Sequence, residues 1–485
     1  MRRAIGWTLA AALFAALLWQ RQILFSQATP APALADDATA SIRVQLGVTD
    51  AEPRAWDGAV TATAGDVVRV RNWHPRPGDE VDGKAKWKLA TRRGINFAMR
   101  GWDVPRLYPP AAYMLIPGVV ADVKGHAGTR VRIETAQGAF EVSPFTMEAG
   151  VIQQFLGGAV LVDRVPVAQE LSPESEDSDF ATLAADADGR LWTAWVAFRG
   201  GRNEVRMRHF DGKVWQPAVA VSGDHRDIFL VKAARDGAGR VWFLWSAQAG
   251  DNWDLYARRW DGRSWSAIER VTSAPQPDIY HNVAVDSRGH LWVVWQGFRD
   301  GAADIFARRH DGSAWQPEEK LSTSPANDWE PAIAADGAGR VWVAWDTYAE
   351  GNYDIVLRKM ENGRWSEIAT VASTPRFEAH VSLACDKNNR LWAAWNESGF
   401  EWGKDTGFLV KIEGTRLYAS RWMSVKVFDG GTWFQPADIE TSLPAGMRGY
   451  NDLPTLLAGG DGRIWLFFRH RMLRVRDTPS DTPAH

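Results

Sequence analysis

The sequence predicts an all-β chain in which a β-propeller follows a β-sandwich-like domain. Three observations carry this. A Leu/Val-Trp-x-x-Trp pair recurs with a 50-residue step, at Trp192/Trp195, Trp242/Trp245, Trp292/Trp295, Trp342/Trp345 and Trp392/Trp395. A turn headed by an acid precedes each pair, with Asp186, Asp236, Asp286, Asp336 and Asp386 six residues before the first Trp. Ahead of the repeats, residues 36 to 158 alternate polar and apolar positions with little helical period.

One repeat reads as four short strands. In the third copy these are Tyr280 to Val285, Leu291 to Gln296, Asp304 to Arg309 and an outer strand from Trp315 to Leu321. The turns between them, Asp286 to Gly289 and Asp311-Gly312, supply the side-chain acceptor and the positive-φ residue of tight hairpins. The second strand is apolar at consecutive positions, so both of its faces must be covered, as they are when blades stack radially. A sixth copy has Trp465 and Phe468 in place of the Trp pair. Its third strand falls near residues 476 to 483, a Pro-containing stretch that pairs poorly, so the last copy is expected to be incomplete or to continue beyond this chain. Leu171 stands 50 residues before Val221, which ends an outer strand. That spacing assigns Ala159 to Ser172 to the last blade as the strand that closes the ring, and so places the propeller at 159–485 and the sandwich-like domain at 36–158.

At the N-terminus, Arg2 and Arg3 precede an apolar run from Ala4 to Trp19. The run is shorter than the roughly 20 residues that span a bilayer, and small-x-small sites follow it at Ala28 and Ala35. Residues 1–35 are therefore expected to be a signal peptide or an uncleaved signal anchor, with the body exported to a periplasmic or extracellular location. The single cysteine, Cys385, agrees with export and excludes both a disulfide framework and a multi-thiolate metal site. With 56 Lys and Arg against 59 Asp and Glu, no basic field exists for nucleic acid or an anionic membrane.

The Asp-Gly-x-x-Trp turns resemble those of six-bladed lectin propellers, which implies sugar binding between blades. A weaker similarity is to sialidase propellers, from whose Ser-x-Asp-x-Gly-x-x-Trp turns this chain departs: Asp186 to Gly189 is one residue too long and Ala184 replaces Ser. The run Trp395-Asn-Glu397-Ser-Gly-Phe-Glu-Trp402-Gly403-Lys404-Asp405-Thr-Gly407 resembles secreted bacterial proteins with a β-rich N-terminal domain, a propeller and a downstream PHP-like hydrolase domain of unknown function. That resemblance implies a recognition region belonging to a larger hydrolase.

Residues that repeat build the blade, whereas a site is grafted onto what does not repeat. The rim formed by the inter-blade links and the second-to-third-strand loops displays Asp278, Tyr280, His281, Asp328, Trp329, Glu330, Glu378 and His380 from the links. From the loops it displays Trp253, Asp346, Tyr348, Tyr353, Glu397, Trp402, Lys404 and Asp405. Acids, a few cations and flat aromatic faces suit a polar ligand with apolar patches. The expected function is binding or scaffolding for an extracellular glycan or protein by a monomer without cofactor or metal. The alternative is a sialidase-like glycoside hydrolase with Glu330 and Glu397 as its carboxylates. Glu397, Glu401, Trp402, Lys404 and Asp405 put three acids, a cation and an aromatic into nine residues, where the interval from Trp392 to Trp465 exceeds the repeat by 23 residues.

Overall fold

A computed structural model describes residues 38–46, 55–73, 78–90, 118–148, 153–155, 160–165, 167–168, 170–172, 176–223, 225, 227–399, 421–436, 438–443 and 451–470. The expected signal, the Trp402-Lys404-Asp405 cluster and the stretch 476–483 lie outside the described residues.

The first domain is one eight-stranded sheet built on two 18-residue strands, Ala55–Asn72 and Gly118–Thr135. Their antiparallel register shifts at Thr63/Gly65 and Val67/Arg69, and such bulges bend a long pair. Both halves contribute to a single core, in which Trp56, Val60, Val70, Trp87, Val123, Val131 and Ile133 are buried with Ile42 and Val44.

Val160–Val165 belongs to this sheet. It pairs with Ala38–Leu46 through Ser41 opposite Val165 to Leu46 opposite Val160, and with Gln153–Phe155. The expectation that Ala159 to Ser172 closes the propeller is therefore corrected, and with it the boundary at 158. The strand alternates into the first core through Val160 and Val162, and Asp163 accepts a bidentate pair from Arg43 at 2.6 and 2.9 Å. The 50-residue spacing to Val221 was coincidental.

Blade one begins at Asp177–Ala185 and continues with Leu191–Arg199, Arg202–Phe210 and Val219–Ala220. Four further sheets follow, with inner strands Ile228–Arg235, Asp278–Val285, Asp328–Ala335 and Phe377–Cys385. Among the described residues blade six has two strands, Asn451–Ala458 and Ile464–His470. The outer strands are shorter than expected: in blade three Glu319–Lys320 pairs regularly, and Trp315 makes only an isolated bridge to His310. Pro317 stands between the two and has no N–H to donate.

The second strands are buried on both faces, as their continuous apolar runs require; Val241 to Trp245 expose 1% or less. Each buried aromatic of this kind contributes on the order of 2–3 kcal/mol. At the ends of the array apolar side chains stay in solvent, Leu183 in blade one and Leu457, Trp465 and Phe467 in blade six.

Two hydrogen-bond pegs repeat with the fold. The first-Trp indole N–H donates to the turn Asp, as in Trp242 to Asp236 Oδ2 at 2.7 Å, while Asp236 Oδ1 accepts the backbone N–H of Ala238 and Arg240. The same carboxylate receives Nε of Arg240, a column held by Arg190, Arg340 and Arg390 and by His290. In three blades the second-Trp indole also donates to an acid, Trp295 to Asp278, Trp345 to Asp328 and Trp195 to Glu176, whereas the indole N–H groups of Trp245 and Trp395 meet no acceptor among the described residues.

Candidate functional site

Every blade carries a bulge in its inner strand, and every bulge holds a non-glycine residue at positive φ: Phe180, Leu230, Tyr280, Glu330, His380 and Leu453. In blades three to five the two bulged residues stand opposite the second Trp of the repeat, as Tyr280 and His281 do opposite Trp295. A bulge leaves one residue unpaired and re-aims its side chain, and it tolerates Pro331 and Pro454 at the next position because no ladder N–H is needed there. Strained backbone of this kind costs of order 1–3 kcal/mol per residue and persists where packing over-determines it.

The bulge residues of neighbouring blades meet. Phe180 packs on Phe229 with ring centroids 5.0 Å apart, and Phe229 on Tyr280 at 5.8 Å. Burial raises the pKa of the Tyr280 hydroxyl and Glu330 lies near enough to raise it further, and Glu330 Oε2 stands 2.6 Å from His380 Nδ1. One side of this row is thus apolar and the other ionisable.

Asp346 joins from the end of the second strand of blade four, Val341–Thr347. It is 1% exposed, its Oδ2 accepts the backbone N–H of His380 at 2.8 Å, and its Oδ1 meets no donor among the described residues. Burial, reinforced by the charge of Glu330, holds the Asp346 carboxyl well above the usual carboxylate range. Burial alone would lower the pKa of His380; the hydrogen bond and charge of Glu330, with the charge of Asp346, outweigh it and raise it. Burial and the neighbouring Glu330 likewise push the Tyr280 hydroxyl up. Glu330 and His380 keep 26% and 27% of their side chains exposed, so the group is open to solvent on their side.

An aromatic cluster borders it. Trp329 lies 5.2 Å from Tyr353 and 6.1 Å from Tyr348, Tyr353 lies 5.2 Å from Phe377, and Phe377 reaches His380 at 6.1 Å.

The structure therefore brings Tyr280, Trp329, Glu330, Asp346, Tyr348, Tyr353 and His380 together from the rim candidates, and gives Trp253, Asp278, His281, Asp328, Glu378 and Glu397 other partners. His281 is buried, with Nδ1 at 3.0 Å from Ser246 Oγ and Nε2 at 3.0 Å from Leu244 O, and burial drops its pKa to about 3. Asp278 and Asp328 are buried pegs for Trp295 and Trp345, and Arg299 also donates to Asp278 at 2.8 Å. As ligand contacts these three are corrected: an indole N–H taken out of water needs an acceptor, and the acid column supplies it. Glu378 is buried on Thr374, with its carboxyl pushed up to about 7 by burial. Glu397 stands in a different cluster from Glu330, accepting from Arg376 at 3.2 Å and Ser424 at 2.6 Å at the wall of a cavity of about 470 Å³. Trp253 lines another cavity, of about 350 Å³, with Phe180, Phe198 and Phe229. Glu330 and Glu397 thus stand in separate clusters, and the carboxyl beside Glu330 is that of Asp346.

No known protein family matches the sequence, and no curated protein does. Solved structures are similar at a distance. One is a protein of unknown function from Dyadobacter fermentans, at 10% identity, covering 62% of this chain and 92% of that one with a TM-score of 0.43. The NanB sialidase from Streptococcus pneumoniae shares 9% identity over 90% of this chain and 92% of its own, with a TM-score of 0.40. The Penicillium chrysogenum alpha-L-arabinanase shares 10% over 60% of this chain and 93% of its own, with a TM-score of 0.39.

Proposed function

We propose that this chain is an exported propeller that binds a glycan at the bulge row of blades three to five. The observation that carries the reading is the contact between two kinds of surface: the Trp329, Tyr348 and Tyr353 rings beside the half-exposed Glu330–His380 pair. Sugar rings present C–H faces that stack on aromatics and hydroxyls that donate to carboxylates, so such a site needs both at once. Among the described residues no helix is long and apolar enough to cross a membrane. Binding of the full chain to a glycan array tests the proposal. Trp329→Ala should weaken the strongest hit at least tenfold with the melting temperature unchanged; absence of any hit, or undiminished binding by the variant, would overturn it.

A second reading, glycoside hydrolysis, is favoured by one observation. Asp346 holds its proton beside the carboxylate of Glu330, the arrangement in which one carboxyl acts as acid and the other as base. Turnover of model glycosides that disappears in Asp346→Asn would support it.

A further inference from the structure

Asp346 Oδ1 is an acceptor on a carboxylate that is 1% exposed, and no donor among the described residues reaches it. An orphaned buried acceptor costs roughly 1–3 kcal/mol, so it points to a partner that occupies the site. The other oxygen, Oδ2, is already engaged by the His380 backbone N–H, which fixes the carboxylate. One carboxylate oxygen of Asp346, one of Glu330 and one ring nitrogen of His380 lie within 4.8 Å of one another.

We propose that Glu330, Asp346 and His380 hold a divalent first-row transition cation, with Zn²⁺ the best match. Two carboxylates balance its charge, and one imidazole with two hard oxygens suits an ion of borderline softness. Ca²⁺ fits poorly, because it asks for six to eight oxygens and three side chains supply two. Donors around a tetrahedral ion at 2.0–2.2 Å stand about 3.4 Å apart, so Glu330 Oε2 and His380 Nδ1, now 2.6 Å apart, must open by about 0.8 Å while more distant donors draw in. Glu330 and His380, the half-exposed members, are the ones with room to move. The proton shared between His380 Nδ1 and Glu330 Oε2 and the proton held by Asp346 both leave to solvent when the ion enters, so uptake should release protons. The His380 backbone N–H on Asp346 Oδ2 orients that ligand from the outer shell, and Tyr280 lies beside Glu330. Three protein ligands leave the fourth position, on the exposed side, to water or a ligand hydroxyl.

The inference shares its site with the glycan reading and does not depend on it, so uptake is measured without glycan and glycan binding is measured on the metal-free chain. The full chain is stripped with EDTA and dialysed against ZnCl₂, bound zinc is counted by elemental mass spectrometry, and affinity is read by calorimetry. One saturable equivalent per chain is expected. Asp346→Asn and His380→Gln should each weaken it at least tenfold, while Glu397→Gln keeps it. Because Asp346 is buried and its variant is the one at risk of misfolding, His380→Gln, half-exposed, decides the matter, with a melting curve as the check on folding. No saturable equivalent in the parent chain, or equal uptake by folded His380→Gln, would overturn the proposal; the second result would assign the zinc to other histidines among the ten.

Discussion

Glu330 and His380 occupy the same position one repeat apart, and their side chains meet, with Oε2 at 2.6 Å from Nδ1. Both are bulge residues at positive φ, 48° and 60°. A feature that recurs in every blade for structural reasons therefore delivers three different side chains, Tyr280, Glu330 and His380, to one spot. Repetition sets the geometry and substitution within the repeat sets the chemistry. The pair should be coupled: in a double-mutant cycle of Glu330→Gln and His380→Gln, read by urea denaturation near pH 6 where the imidazole is charged, about 1 kcal/mol of interaction is expected for ions this exposed. Strict additivity would mean that the contact contributes nothing in solution.

His281, the next residue along the bulge from Tyr280, gives a pH dependence of definite sign. Its pKa falls from an ordinary 6.5 to about 3 on folding, so between those values the unfolded chain binds a proton that the folded chain does not. Stability contributed here is present above 6.5 and is lost as the pH falls, at up to about 1.4 kcal/mol per pH unit. Asp328 and Asp354, raised to about 6, and Glu378, raised to about 7, act with the opposite sign, losing stability as the pH climbs through these values. They are common to parent and variant, so the difference between the parent chain and His281→Gln isolates the histidine. That difference should shrink steadily as denaturation is repeated from about pH 7 down to about pH 4. A constant difference would place His281 in a solvated environment.

The blade was legible because its determinants are side chains at fixed intervals: Trp, the turn Asp and the outer-strand Trp each recur in register. The site was legible only as a pool of rim residues. What selects Tyr280, Glu330 and His380 from that pool is a backbone bulge, and its positive-φ column carries Phe, Leu, Tyr, Glu, His and Leu with no glycine to mark it. The hint present in the sequence is that residues 280, 330 and 380 stand one repeat apart. Asp278 and Asp328 were misread for a related reason. Their 17-residue spacing to Trp295 and Trp345 repeats, which marks them as part of the blade. Val160–Val165 was misassigned because spacing was trusted over partner choice, and a strand's partner is settled by which core its apolar face enters.

Blade contacts set a limit on the turns. Gly237 N–H donates to Gly289 O at 2.9 Å across two neighbouring blades, and a Cβ on Gly237 would come within 2.5 Å of Gly289 Cα. Backbone faces backbone here, with no side chain able to swing away. Gly237→Ala should therefore destabilise by about 1–3 kcal/mol through overpacking. Gly289→Ala should cost more, since Gly289 also sits at φ 83°. If chemical denaturation finds Gly237→Ala as stable as the parent, the blades separate at this point more freely than their hydrogen bond implies.

The turn Asp column offers the last test, because it was first explained by turn formation alone. Turn formation requires only Oδ1, which in Asp236 accepts the N–H groups of Ala238 and Arg240 at 3.0 Å. Oδ2 has a separate task, joining Arg240 Nε at 2.6 Å and the indole of Trp242, which is fully buried. The Arg240 guanidinium in turn lies over the same indole, 5.7 Å from the ring centroid. If the turn were the whole role, Asn would replace Asp at little cost, since its carbonyl oxygen keeps the two backbone bonds. The peg predicts otherwise. The amide of Asn would set its NH₂ against the Trp242 N–H and the Arg240 guanidinium, leaving a buried donor and a cation without their acceptor. Asp236→Asn should then cost about 3–5 kcal/mol, the range for removing one member of a buried pair, and Trp242→Phe in the Asp236→Asn background should recover part of the loss by removing the orphaned indole N–H. Near-parent stability of Asp236→Asn would reduce the column to turn-making.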